Sequence, residues 1–369
     1  MNKVKMILTN RFDPDVRVYK EAKYLVSKGF DVEILCWDRE NEYKDREVEV
    51  IDDIKIKRFY PYAKYGTGLR QLKAFFKFIT ECKEYLKNKD YQYLHCHDLD
   101  GILVGYIARK NKSKLIFDMH EFYEVNGRKQ KIRYLIRLIV NFLHDKSDFI
   151  IYVNEFQTKV MKSKNKNKLI FLPNYPIKEH YVGCEKTKDE KLRISYIGAV
   201  RQYNELKNLM DACNGMNNVE INIHGDGVAY NKLNEIKDNY SNVNITGKYH
   251  FTESARLYST TDILYAIYPT TSLQYLISYP VKLFEAIITK TPIIVNKGTV
   301  LEDFINEYGI GFAVDGSDIG EIRRLINYIY CNKEVLLEKE INLAKIQYKF
   351  RWEEIVDNLD KIYINHING

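Results

Sequence analysis

The segment YPVKLFEAIITKTPIIV holds the densest grouping of residues able to do chemistry. Pro280 suits the first turn of a helix, which places backbone amides near Val281 and Lys282, and a helix N-terminus beside a lysine is a natural seat for a diphosphate. Glu285, about one turn further in, could accept hydrogen bonds from the two hydroxyls of a ribose. A surface helix with its carboxylate in water would carry the same letters. A second anion candidate is YIGAVRQYNELK, where Gly198 ends a strand and Arg201 and Lys207 sit in the loop and helix start that follow. A guanidinium and an ammonium there could grip phosphates, or simply be solvated. The HGDG turn, with Gly225 and Gly227, also follows a strand and either brings backbone close to a ligand or only turns the chain.

In the first half, IFDMHEF sets His120 and Glu121 directly after a strand, where His120 could donate to a substrate and Glu121 could orient a neighbour. HCHDLD puts His95 and His97 on one face of a strand by alternation, but no third convergent ligand is evident, so His97 and Asp98 read as strand-end residues rather than a metal site. Cys36, Cys82, Cys96, Cys184, Cys213 and Cys331 are scattered without a paired spacing, which fits reduced cysteines and neither a disulfide framework nor zinc. The stretch GRKQKIRYLIRLIVNFLHDK interleaves Arg128, Lys129, Lys131, Arg133 and Arg137 with Leu135, Ile136, Leu138, Ile139 and Phe142. As a helix it is either packed on a sheet with its charges in water or able to lie on anionic lipid, and LRQLKAFFKFI has the same character.

Elements that would position these residues follow from periodicity. VKMILT, DVEILCW, YQYLHCH and KLIFDMH read as short apolar strands, with RVYKEAKYLVSKG and LDGILVGYIARKN as helices between them. RISYIG, VEINIHG, NVNITG, DILYAIY, TPIIV and GFAV repeat the style. The fold class is therefore α/β, with two doubly wound domains facing across a cleft and ligands beyond the carboxyl ends of the strands. The expected division is residues 1–178, a linker over 179–191, a second domain over 192–345, and a closing amphipathic helix over 346–369 that carries Phe350, Trp352, Ile355 and Leu359 on one side. Neither GxGxxG after the first strand nor GxxxxGK[ST] anywhere occurs, which argues against dinucleotide oxidoreductases and P-loop NTPases.

Charge is distributed unevenly. Residues 1–190 hold 38 Lys+Arg against 28 Asp+Glu, or +10, so that the remaining 19 against 22 give −3 of the net +7. A basic first half favours an anionic partner, and the absence of ordered aromatic platforms favours a lipid surface over nucleic acid. With no apolar run near 20 residues and no signal-peptide pattern, the chain is expected in the cytoplasm, peripheral on the inner face of the membrane.

With these pieces placed, the sequence resembles the GT-B glycosyltransferases, and glycosyltransferase family 4 in particular. The resemblance rests on DPDVRVYKEAKYLVSKGFDVEILCWDR, HDLDGILVGY, LIFDMHEFY, YIGAVRQ, GDG, NITGKYHFTESARLYSTTDILYAIYP and PVKLFEAIITKTPIIV. It implies a retaining, metal-independent transfer from a nucleotide-sugar donor, UDP rather than GDP, to a lipid-linked or cell-surface polysaccharide precursor, the leaving phosphate helping to deprotonate the acceptor. Glu285 matches the second glutamate of the family's E-x7-E motif, Arg201 the diphosphate arginine, and His120 the first-domain histidine beside the transferring sugar. Base contacts are expected from Gly247 to Tyr249, and the closing helix around Trp352 resembles the family's crossover back onto the first domain. The sequence departs from the pattern at Ile277, where the first glutamate would stand, and at Leu206, with Lys207 one place beyond the expected lysine and Lys282 a candidate substitute. A catalytically silent partner protein and a nucleotide-sugar epimerase of the same fold are the alternatives.

Overall fold

The computed structural model describes residues 2–13, 15–64, 66–110, 112–123, 130–160, 166–187 and 190–364. Arg128 and Lys129 of the basic stretch lie outside them. The chain divides into two compact units, residues 1–173 with 356–369, and residues 174–355.

The first unit is built on eight strands: β1 (Lys3–Leu8), β2 (Asp31–Trp37), β3 (Val48–Ile51), β4 (Ile54–Phe59), β5 (Tyr93–His97), β6 (Lys114–Met119), β7 (Phe149–Tyr152) and β8 (Leu169–Phe171). Their order is β3-β4-β2-β1-β5-β6-β7-β8. Every pair is parallel except β3 with β4. The central strands are near-continuous runs such as VKMIL and LIFDM because both faces are covered, and their side chains are buried throughout. The helix Val16–Ser27 crosses from β1 to β2, capped by the Asp15 carboxylate accepting from the amides of Arg17 and Val18. Its inward face carries Val18, Ala22 and Leu25, as periodicity requires, but also Arg17, Lys20 and Glu21, all buried.

The second unit holds β9 (Leu192–Ile197), β10 (Val219–His224), β11 (Val243–Gly247), β12 (Ile263–Ala266), β13 (Ile293–Asn296) and β14 (Gly311–Val314). The order is β11-β10-β9-β12-β13-β14, all parallel. In both sheets the strand order reverses beside the first strand, at β1/β5 and at β9/β12, the topological position where such sheets bind ligands.

Two expectations are corrected. The stretch 179–191 is not a free linker. It belongs to the second unit, where the ring of Tyr181 stands edge-on to Tyr258 and Lys186 reaches Glu340 at 3.2 Å. Aperiodic sequence hid this, because single tyrosines anchor the stretch rather than a repeating face. The closing segment is also not one helix. It runs as short 3₁₀ turns, Gln347–Phe350, Trp352–Glu354 and Val356–Leu359, before a single α turn, Asp360–Tyr363. Extended backbone at Arg351 breaks the periodicity and lets the Trp352 amide donate to the Pro176 carbonyl at 3.0 Å. Phe350 packs among Tyr175, Phe284 and Phe304 of the second unit, whereas Leu359, Ile362 and Tyr363 are buried in the first.

Candidate functional site

In the second unit a cavity of about 440 Å³ lies beyond the carboxyl ends of β9, β10 and β11, lined by Gly198, Ala199, Gly225, Asp226, Gly227, Lys248 and Tyr249. The loops that form it are laced together by backbone. Gly198 donates to the His224 carbonyl at 2.9 Å, Gly225 to Gly247 at 2.9 Å, and Val200 to Asp226 at 2.9 Å. A Cβ at Gly225 would collide with the Gly198 carbonyl, and one at Gly227 with that of Val200. Close backbone approach therefore requires both glycines.

Lys282 enters this region from the helix Val281–Ile288, which begins directly after Pro280, and Val281 itself is partly exposed. The lysine is buried, its Nζ has no hydrogen-bond partner among the described residues, and it stands 3.6 Å from the Tyr196 ring centroid and 5.5 Å from that of Tyr268. Its ammonium end lies beside Gly198, where a Cβ would be 3.5 Å from Nζ. Burial pulls the Lys282 pKa down to about 7, with Glu285 opposing the fall and Arg201 adding to it. Arg201 is exposed on the loop between β9 and the helix Tyr203–Cys213. Glu285 accepts hydrogen bonds from the hydroxyls of Tyr181 at 2.9 Å and Tyr258 at 3.0 Å.

Lys207 is not brought to this group. Its ammonium donates to Asp211 at 2.6 Å on the same helix, while Leu206 is buried in the core beneath. Helical geometry explains the choice, because the position facing the sheet takes the apolar residue and its neighbour turns to solvent. Ile277 ends the short helix Leu273–Ile277, whose Tyr275 ring stacks on Tyr268 at 5.2 Å.

In the first unit, β5 and β6 end in a polar cluster. His95 and His97 share a strand face, their rings stacked 4.4 Å apart. Asp118, fully buried on β6, accepts from Arg17 through Nε at 3.1 Å and Nη2 at 2.8 Å. Its Oδ2 also meets His97 Nδ1 at 3.1 Å and His120 Nε2 at 3.0 Å. Glu21 lies 3.2 Å from Arg17 Nε and 3.7 Å from His95 Nε2, and the Tyr363 hydroxyl lies 2.9 Å from His95 Nδ1.

The third and fourth convergent groups absent from the sequence reading are thus Glu21 and Asp118, within 4.8 Å of both histidines. The cation among them is Arg17. Its guanidinium resists burial and stays charged because Asp118 and Glu21 face it. Asp118 stays well below the usual carboxylate range despite burial, held by Arg17 and His120, whereas burial and the neighbouring Asp118 push Glu21 up. Burial lowers His95 and His97, while Asp98 and Asp118 outweigh burial and raise His120.

Glu121, expected to orient a neighbour, has an exposed side chain. Its carbonyl accepts from Gln157, and Asp118 holds His120 Nε2. The signal for Asp118 was a carboxylate two residues before His120 inside an apolar strand. For Arg17 and Glu21 it was the charged residues on the inner face of an amphipathic pattern.

Comparison with known proteins meets this geometry. Residues 15–174 match the family model described as Glycosyltransferase Family 4. Sucrose-phosphate synthase from Thermosynechococcus elongatus superposes over 100% of both chains with a TM-score of 0.80 at 14% identity. The chain has the GT-B fold. A second GT-B neighbour is HepE of Anabaena in complex with UDP and glucose, with a TM-score of 0.70, 13% identity and 100% coverage of both chains. A mutant TarM of S. aureus, in complex with fondaparinux, α-GlcNAc-glycerol and UDP, gives 0.70 at 12% identity, again over 100% of both. Among curated protein sequences, none matches the chain.

Proposed function

We propose that this GT-B protein is a retaining glycosyltransferase that uses a nucleotide-sugar donor, UDP rather than GDP, with a lipid-linked or cell-surface polysaccharide precursor as acceptor. The observation that carries the reading is Lys282, a buried ammonium without a hydrogen-bond partner among the described residues, beside the glycine loops of a 440 Å³ cavity. A buried cation without an acceptor is costly, and a diphosphate supplies the missing oxygens. Arg201 adds a second positive charge to the same field, Glu285 offers its carboxylate to the ribose, and the Gly247–Tyr249 segment contacts the base. HepE and TarM, which share the fold, are described with UDP.

In the transfer, the bond from the sugar C1 to the diphosphate oxygen breaks as the acceptor oxygen bonds C1 on the same face. The acceptor proton passes to the leaving phosphate. Arg201 and Lys282 hold the charge that develops there, so no metal ion is called for. The acceptor side falls to the first unit.

Two helices of that unit support work at an anionic membrane from the cytoplasmic side. Gln130–Lys146 exposes Tyr134 (65%) and Leu135 (57%) among Lys131, Arg133 and Arg137, and Leu72–Lys87 exposes Phe76 (61%) between Lys73 and Lys77. Apolar side chains amid lysine and arginine match an interfacial helix. Among the described residues no helix is long and apolar enough to cross a membrane.

The test is thermal unfolding in EDTA against UDP, GDP, CMP and dTDP nucleotides and their sugars. A ligand at about 100 times its Kd stabilises by about 2.7 kcal/mol. UDP and a UDP-sugar should raise Tm, and Glu285→Ala should abolish the rise. No response to any nucleotide would instead favour the silent-partner reading kept open by Ile277, and donor turnover without acceptor would favour an epimerase.

A further inference from the structure

Besides the cavity beside the glycine loops, the second unit holds one of about 640 Å³ at the other end of its sheet. Leu192 begins β9, Asp262 directly precedes β12, and Thr289 and Lys290 lie between the helix Val281–Ile288 and β13, so this cavity sits at the amino ends of the strands. Doubly wound sheets take their principal ligand beyond the carboxyl ends, where Gly198, Gly225 and Lys248 are, and the two cavities share no lining residue. Its volume falls within the range of about 300–1,000 Å³ in which small molecules bind.

One wall is the aperiodic stretch 184–187. It is fastened in place, because the Cys184 thiol donates to the Ala255 carbonyl at 3.1 Å and the Thr187 amide to that of Ser259 at 3.0 Å. Another wall is the helix Glu334–Ile346, which contributes Leu336, Ile341 and Ala344. Leu192 and Leu336 are buried, whereas Ile341 and Ala344 are exposed. No aromatic ring is among the described residues that line the cavity. A nucleobase or sugar face finds no platform to stack on there, while aliphatic side chains and lysine stems suit a saturated chain.

The acids of the lining are mostly spent. Both Asp262 oxygens accept from Arg193, at 2.7 and 3.1 Å, and Glu340 accepts from the Lys186 ammonium at 3.2 Å. Glu185 is the remaining carboxylate. Against it stand the exposed Lys290, in a left-handed conformation with φ 54°, and the exposed Lys333, whose ammonium is tethered to the Glu190 carbonyl at 2.9 Å. The excess is positive although the sequence after residue 190 is net acidic. We propose that this cavity binds a single-chain lipid phosphate, its hydrocarbon chain against Leu192, Leu336, Ile341 and Ala344 and its phosphate on Lys290 and Lys333. Burial of the chain supplies the affinity, and the ammonium groups fix the head. The site lies outside the transferase reading and needs neither nucleotide nor acceptor.

The experiment is calorimetric titration of the full-length protein with octyl phosphate below its micellar concentration, alongside hexyl phosphate, octanol and inorganic phosphate. Octyl phosphate should bind saturably, each methylene between hexyl and octyl should add about fourfold in affinity, and octanol and inorganic phosphate should bind at least about tenfold more weakly. Ala344→Trp, which fills the cavity, and Ile341→Glu, which sets a carboxylate in its apolar wall, should abolish binding. Lys290→Asn, which tolerates the left-handed backbone, should weaken it about three- to tenfold. All three positions are exposed, so the variants should fold, and an unchanged Tm without ligand checks that they do. Absence of saturable binding, equal affinity for octanol or inorganic phosphate, or binding that survives both Ala344→Trp and Ile341→Glu overturns the proposal, the last by placing the probe on the exposed apolar helices of the first unit. None of these results bears on the nucleotide response of the donor cavity, so failure here leaves the transferase reading standing.

Discussion

Arg17 of the first unit and Lys282 of the second are both buried cations, and they are treated oppositely. Arg17, 4% exposed, is neutralised on the spot by Asp118 and Glu21 and pinned by the Leu172 carbonyl. Lys282, 8% exposed, meets two tyrosine rings and no hydrogen-bond acceptor among the described residues. The first arrangement stores its electrostatic energy inside the fold and holds a neighbour in place. On the proposed reading, the second leaves the energy uncollected until an anion arrives. Burial alone thus does not tell a structural charge from a binding one. The partner count does.

The contrast can be broken at either end. Arg17→Met should have the largest effect, because it strands two buried carboxylates. A loss of about 3–5 kcal/mol is expected in urea unfolding, and a change below about 1 kcal/mol would show that Arg17 is not their counterion. Lys282→Met should do the reverse, leaving unliganded stability equal or improved while UDP affinity, read by calorimetry, drops about 10–100-fold, the worth of a hydrogen bond to a charged group. Unchanged affinity would remove Lys282 from the donor site.

The pH dependence sharpens the same point. A lysine held at about 7 in the folded state and near 10.5 when unfolded binds more protons unfolded between those values. Stability of the nucleotide-free protein should therefore rise with pH across that window and lose part of its slope in Lys282→Met. Because Lys20 is also drawn down to about 7, only the difference between wild type and variant isolates Lys282. The smallest effect is expected from Lys207→Ala. An exposed i,i+4 pair with Asp211 is worth about 0.3–0.5 kcal/mol, and nucleotide affinity should not change.

What could be read from the residues alone follows from the range of the interactions involved. Apolar runs such as ILYA and IIVN announced buried parallel strands, and alternation placed His95 and His97 on one face. Glycines at 198, 225 and 227 marked loops whose backbones touch. These are short-range constraints. Arg17 finds Asp118 across 101 positions, and Glu285 finds Tyr181 across 104, pairings that no local pattern encodes. The closing segment misled for a related reason. Its apolar residues do follow a helical period, but Phe350 and Leu359 belong to different units, so the chain breaks into turns between them. Lys207 stood one position from the expected lysine, and one position on a helix is about 100° of rotation.

The return of residues 356–364 to the first unit also has a temporal meaning. The Tyr363 hydroxyl bonds His95, and the Tyr24 hydroxyl bonds Asp357 at 2.8 Å and Asp360 at 2.7 Å. These contacts complete the first unit with residues made only after the whole of the second. On a ribosome adding about 5–20 residues each second, the helix Val16–Ser27 and the end of β5 wait roughly 13 to 67 seconds for their last neighbours. The sheet must hold that interval open, with part of its polar cluster exposed to water, before the chain that seals it emerges.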